Sequence, residues 1–333
     1  MCSPSTESKR VQVAALDPST FERHRIHTME RDWAETNCYT DVMIEMLHGF
    51  GFEFAAMLAF TLAVDFEGDQ WTFFKPPHAD LEALYGFGIE ELAVWRPLAQ
   101  HLEEQVALGR PVLVELDSFY LPDTAGTAYH RVHQKSGVAV NAIDTKRRQL
   151  GYFHNQGYYA LDGEDFRDVF QLDGRVHERM LPPYVEYLKW VPGFCAPRGR
   201  ELVEASQALL RRHVARLPRV NPFPRFKERF AQDLAWLLAA DLDRFHAYSF
   251  ATFRQYGACF ELAATYLRWL ENEGVTGLDT SIGAIVQISQ ATKAYQFQLA
   301  RAMARKKPLE LAALDDMAAH WERGMGALTS RFA

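Results

Sequence analysis

Apolar residues in the first third of the chain follow a helical period. Val42, Met43, Met46 and Leu47 fall on one face of a turn-by-turn repeat, which predicts a helix from Cys38 to Leu47, ended by Gly49 and Gly51. Phe52 to Val64 is aromatic and apolar and predicts a second, buried helix. Asp65 to Gln70 is a polar loop, and Trp71 to Phe74 reads as a strand stopped by Pro76 and Pro77. Short helices are expected over Asp80–Tyr85 and Leu98–Leu108. The period then shortens. Pro111–Leu116, Gly137–Ile143, Leu150–His154 and Gly157–Leu161 read as strands, and Gly163–Phe170 as a short helix. Beyond residue 200 the helical period returns over 200–214, 225–246, 250–272, 279–305 and 308–328.

This succession predicts an α+β N-terminal domain with an antiparallel sheet, followed by an all-helical C-terminal domain. The expected boundaries are a polar lead-in over 1–30, a domain over 31–180, a linker or crossover over 181–199 and a helical domain over 200–333. Pro182-Pro183 and the stretch from Pro192 to Gly199 mark the crossover.

Composition narrows the function classes. The formal net charge of -7 argues against nucleic acid, whose phosphates need a basic patch. No apolar run reaches the roughly 20 residues of a membrane span, and Met1-Cys2-Ser3-Pro4 opens no signal peptide, so a cytoplasmic protein is expected. The four cysteines, Cys2, Cys38, Cys195 and Cys259, have neither zinc-site nor disulfide-framework spacing. No metal and no cofactor held by the protein itself are expected. Aromatic-rich helices permit a homodimer.

The candidate chemistry begins at Asn37-Cys38. A thiol at a helix start sits where free N–H groups favour negative charge, and a nearby imidazole would make it a nucleophile. Burial as a small hydrophobe is the competing role of Cys38. Asn37 is a capping residue beside the thiol and a candidate oxyanion donor with the Cys38 N–H. Three histidines compete for the base. His133 is preferred because it lies shortly before a strand; His130 sits in the preceding loop, and His154 on the adjacent strand. Asn155 is the candidate orienter of the imidazole, with Asp144 the alternative. Asp65 and Asp69 on one side, and Tyr120 and Asp123 on the other, are candidate binders of a substrate amine. Trp71, with Phe66, Phe73 and Phe119, is a candidate pocket wall.

Glu35-Thr36-Asn37-Cys38-Tyr39, Asp65 to Lys75, Phe119 to Thr124, His133 through Asp144, and Gly151-Tyr152-Phe153-His154-Asn155 resemble a bacterial family named only as domain of unknown function 1839. More distantly, the chain is similar to the acyltransferase of butirosin biosynthesis and its relatives, which have a papain-like N-terminal part and a helical C-terminal part. The match lies at Cys38, at Val112 to Tyr120 followed by Leu121-Pro122, and at the strand ending in Asp144. Those relatives place a histidine immediately before the strand, where this chain has Ser136 and Gly137. The resemblance implies a papain-like fold in which Cys38 takes an acyl or aminoacyl group from a carrier-protein thioester and passes it to a small-molecule amine. His133 would be the base and Asn155 its orienter. Phosphopantetheine would then be carried by the partner protein. Cysteine-dependent hydrolysis and a non-catalytic carrier-binding role are the alternatives.

Overall fold

A computed structural model describes residues 11–27, 31–33, 35–172 and 182–332. Along the chain run β1 (Val11–Gln12), α1 (Cys38–Gly49), α2 (His78–Tyr85), β2 (Phe87–Glu91), α3 (Leu98–Ala107), β3 (Val112–Asp117), β4 (Lys135–Asp144), β5 (Gln149–His154), β6 (Gly157–Asp162), α4 (Gly163–Val169) and β7 (Val185–Trp190). The helices α5 (Arg200–Val214), α6 (Pro222–Ala239), α7 (Leu242–Ser249), α8 (Gln255–Asn272), α9 (Asp279–Arg305) and α10 (Ala312–Phe332) follow. No described helix is long and apolar enough to cross a membrane.

The chain divides into two compact units. The first comprises the described residues up to His27, then Asn37–Glu53 and Gly86–Cys195. It is a mixed α+β unit built on an antiparallel sheet in the order β2-β7-β3-β4-β5-β6. β1 pairs with the far end of β4, beyond the stretch that β3 occupies. Alternation gives the sheet two faces. Val112, Val114, Leu116, Val138, Val140, Leu150 and Tyr152 pack in one core with Ala99, Leu102 and Val106 of α3. The other face carries α1. It comes close because Gly49 has no side chain; a Cβ there would lie 2.9 Å from the ring of Phe153.

The β4–β5 pairing contains an irregularity. Asp144 pairs with Gln149 and Ala142 with Gly151, but Val140 pairs with Tyr152 and Val138 with His154. One extra residue, at Asn141, is therefore accommodated in β4, as in a β-bulge. Its buried amide is fully engaged. Asn141 Oδ1 accepts the Ala14 N–H, and Nδ2 donates to Ala14 O and to Tyr158 Oη.

The second unit comprises the described residues within Thr28–Thr36, Phe54–Tyr85, and the chain from Ala196 onward. Its C-terminal part is all helical. Phe54–Ala63 is helical as expected from its apolar composition, but wound as a 3-10 helix packed on α5 and α8. Ser206 Oγ donates to the Ala56 carbonyl, and Cys259 Sγ to that of Thr61.

Several expectations differ from the structure. Trp71–Phe74 forms no strand; Trp71 makes one isolated pairing with Phe66 and donates its N–H to Ala251 O, and no strand among the described residues extends a ladder from it. The span 225–246 is two helices, because Asp241 accepts the Arg244 N–H and starts α7 afresh. The stretch 181–199, expected as a linker or crossover, holds β7 between β2 and β3. The polar lead-in supplies β1 and buries Ile26 and His27.

Candidate functional site

Asn37 and Cys38 occupy the helix start that their sequence predicts. Asn37 Oδ1 accepts the Thr40 N–H at 3.0 Å, capping α1, and Cys38 is the first helical residue. A side-chain cap satisfies one of the free donors of the first turn. Cys38 is half-buried, in contrast to Cys259, which is fully buried and whose thiol pKa burial raises well above its usual value. Cys2 lies outside the described residues. The strand residue beside the Cys38 sulfur is Gly137: a Cβ on it would sit 3.8 Å from Sγ. The thiol thus faces backbone at the point where a longer side chain would cover it. No hydrogen bond to Cys38 Sγ occurs among the described residues.

The same sheet face carries acidic groups. Glu115 pairs in register with Gly137, and Lys135 Nζ reaches its carboxylate at 2.6 Å. On β7, Glu186 accepts hydrogen bonds from Tyr39 Oη at 3.3 Å and Tyr184 Oη at 2.9 Å. Burial and then the Glu186 charge raise the Tyr39 pKa, and Tyr184 is pushed up to about 12, so both phenols remain protonated donors.

His133 lies in the loop before β4, 65% exposed at its side chain. Its Nδ1 meets Asp117 Oδ2 at 2.6 Å, and its ring stacks on Phe119 with centroids 4.2 Å apart. Asp117 also accepts the Phe119 and Gln134 N–H groups. The carboxylate against His133 is therefore Asp117, a residue the sequence reading passed over. Asn155 sits at φ +45° in the turn between β5 and β6, and Asp144 accepts the Lys146 and Arg147 N–H groups in the turn after β4. Cys38, His133 and Asn155 are not joined to one another by hydrogen bonds among the described residues. His130 stacks on Tyr129, and both approach Asp165. Tyr120 is half-buried beside Phe119.

The structure does bring His154 and Asp123 together. His154 Nδ1 lies 2.6 Å from Asp123 Oδ2, its Nε2 lies 2.6 Å from Ser136 Oγ, and Tyr152 Oη donates to Asp123 Oδ1 at 2.5 Å. Ser136 and Tyr152 were not singled out as candidates from the sequence. Strand alternation places Ser136 on the face of Val138, but the pairing of Val138 with His154 is set by the extra residue at Asn141, which no sequence pattern shows.

Asp65, Asp69 and Trp71 belong to the second unit. Asp65 pairs with Arg225 at 2.5 Å, and Asp69 is exposed in a loop. Trp71 is fully buried against Phe223, Phe226 and Tyr256, with the last ring 4.6 Å away, so its environment is a helical core.

Beneath the Cys38 helix lies a buried charged cluster. His27 Nδ1 meets Glu45 Oε1 at 2.5 Å and its Nε2 lies 3.4 Å from Asp41 Oδ1, with all three side chains almost fully enclosed. Burial disfavours the imidazolium, but the hydrogen bonds and charges of Asp41 and Glu45 outweigh it, so the His27 pKa is raised above its usual 6.5.

A comparison with curated proteins returns no match. The model of the DUF1839 N-terminal domain matches residues 22–190, and that of the DUF1839 C-terminal domain matches residues 199–330. On these two matches the chain belongs to the DUF1839 family.

Proposed function

We propose that this protein is a cysteine-dependent acyltransferase with a papain-like N-terminal unit. One observation carries the reading: a half-buried thiol at the capped start of α1 faces a glycine on the neighbouring strand, whose side no side chain occupies. Cys38 Sγ attacks the carbonyl of an acyl or aminoacyl thioester on a carrier protein. The new C–S bond forms as the bond to the carrier's phosphopantetheine thiol breaks, and that thiol leaves with a proton. A small-molecule amine then attacks the acyl-enzyme, gives up a proton to His133 and releases the cysteine. This is two-step covalent catalysis. The orientation of His133 by Asp117 and Phe119 suits the base.

A second reading, hydrolysis of the same acyl-enzyme, is favoured by the exposed Lys135–Glu115 pair, which keeps this face wet. Intact-mass analysis with an aminoacyl-loaded carrier tests the nucleophile. A gain equal to the acyl group in the native chain, absent in Cys38→Ala, is expected. An unchanged native mass with a demonstrably loaded carrier overturns the proposal. Release of the acyl group without added amine selects hydrolysis.

A further inference from the structure

Ser136, His154 and Asp123 lie on the sheet face opposite Cys38. Gly137 is the strand residue beside the cysteine sulfur, so its neighbour Ser136 projects the other way. Val138 and Val140, the latter paired with Tyr152, lie in the α3-side core, and Val138 is paired with His154, which fixes that face for Ser136 and His154.

The hydrogen bonds impose a direction on this group. Burial, followed by the Asp123 charge, raises the Tyr152 pKa, so its hydroxyl stays protonated and donates to Asp123 Oδ1. An ionised carboxylate only accepts. Asp123 Oδ2 therefore takes its hydrogen from His154 Nδ1 at 2.6 Å. In the neutral ring this leaves Nε2 with a lone pair, and the group 2.6 Å from that lone pair is the Ser136 hydroxyl. The histidine and the Asp123 carboxylate are enclosed, with side-chain exposures of 1% and 4%, whereas Ser136 is only half-buried. A buried orienter, a buried base and the hydroxyl of a half-buried serine are thus in the order required to activate a serine. A histidine buried for packing needs both ring nitrogens satisfied, but does not need a partner that is itself only half-buried.

We infer that Ser136, His154 and Asp123 form a second acyl-transfer site, which cleaves carboxylic esters with an apolar acyl group. The acyl preference rests on Leu116, buried and directly paired with Ser136 on the same face. Ser136 Oγ attacks the ester carbonyl while His154 Nε2 takes its proton. The C–O bond to the alcohol breaks, and the alcohol leaves with the proton from Nε2. Water then attacks the acyl-serine, passes a proton to Nε2 and releases the carboxylic acid as Oγ recovers its hydrogen. Asp123 is a positioning residue, holding the tautomer.

The full chain is incubated with an alkyl fluorophosphonate, and its mass and labelled peptide are read. A single adduct on Ser136 is expected, with fluoride lost. His154→Gln should label about 10²- to 10⁴-fold more slowly, the usual contribution of a positioned base. Asp123→Asn should slow labelling and abolish the far-downfield proton resonance expected for the His154–Asp123 hydrogen bond. The part of 4-nitrophenyl butyrate hydrolysis that persists after Cys38 is alkylated should disappear in Ser136→Ala, which removes a single hydroxyl from a half-buried residue. No adduct on Ser136 of the native chain overturns the inference whether or not the His154 variant folds. Labelling at an unchanged rate in folded His154→Gln also overturns it.

Discussion

Replacement of His27 by glutamine probes the structure where two acidic side chains of the Cys38 helix are buried together. In the native chain Asp41 and Glu45 share one imidazole, and removing a partner from a buried ion pair costs about 3–5 kcal/mol. Here the lower end applies, because Glu45 keeps a second donor, the His24 N–H at 3.0 Å. About 3 kcal/mol corresponds to roughly two decades in the folding equilibrium. With a urea dependence of ~3 kcal/mol per molar for a chain of this size, the midpoint should fall by about 1 M. The pH dependence has a fixed sign. A raised histidine pKa contributes stability that is complete below the unfolded value of about 6.5 and is lost as pH rises through the folded value. Native stability should therefore decline above pH 6.5, and His27→Gln should lack that decline. Urea titrations followed by circular dichroism between pH 6 and 9 provide the assay. A midpoint change below roughly 0.3 M, or the same slope above pH 6.5 in both proteins, would refute the reasoning.

Other consequences are open to direct measurement. Iodoacetamide applied to the folded chain should modify Cys38 and exposed Cys195 but spare Cys259 until urea is added; peptide mapping reads each site. Gly137→Ala places its methyl in ordinary contact with Cys38 Sγ, so stability should change by less than about 1 kcal/mol while Cys38 alkylation slows. Unimpaired alkylation would mean that the thiol is approached from elsewhere. Trp71→Ala removes a fully buried indole from contact with Phe223, Phe226 and Tyr256 and should cost about 3–5 kcal/mol in thermal or urea unfolding.

The parts of the molecule that were legible in sequence are those dictated by local periodicity and capping. The α1 stripe of Val42, Met43, Met46 and Leu47, begun by Asn37, is one; the β-branched runs of β3 and β4 are another. What local pattern could not supply was pairing. Trp71 is a strand former by type, yet among the described residues it makes only an isolated bridge with Phe66. β2 is five residues long and joins the sheet only because β7, nearly a hundred residues later, pairs with it throughout. The face of His154 was illegible for the same reason. Counting back from the Asp144–Gln149 pair would set His154 opposite Ala139, on the Gly137 face; the extra residue at Asn141 sets it opposite Val138, on the other. Asp117 was missed because its tie to His133 depends on the closed end of the β3–β4 hairpin, not on any spacing in the chain.

The two family-model matches suggest a molecule that could be cut near residue 195, but the path of the chain says otherwise. Residues 54–85 precede most of the sheet in sequence and pack with helices that begin after residue 195. A fragment ending there would leave the Trp71 ring and the apolar Phe54–Ala63 turn without the helical core that buries them. On the ribosome, the same segment must wait exposed until more than a hundred further residues have been made. Such a chain relies on late, long-range closure, which is slow and exposes sticky surface in the interval. Low recovery of either half expressed alone would then report that each half lacks part of the helical unit the other supplies.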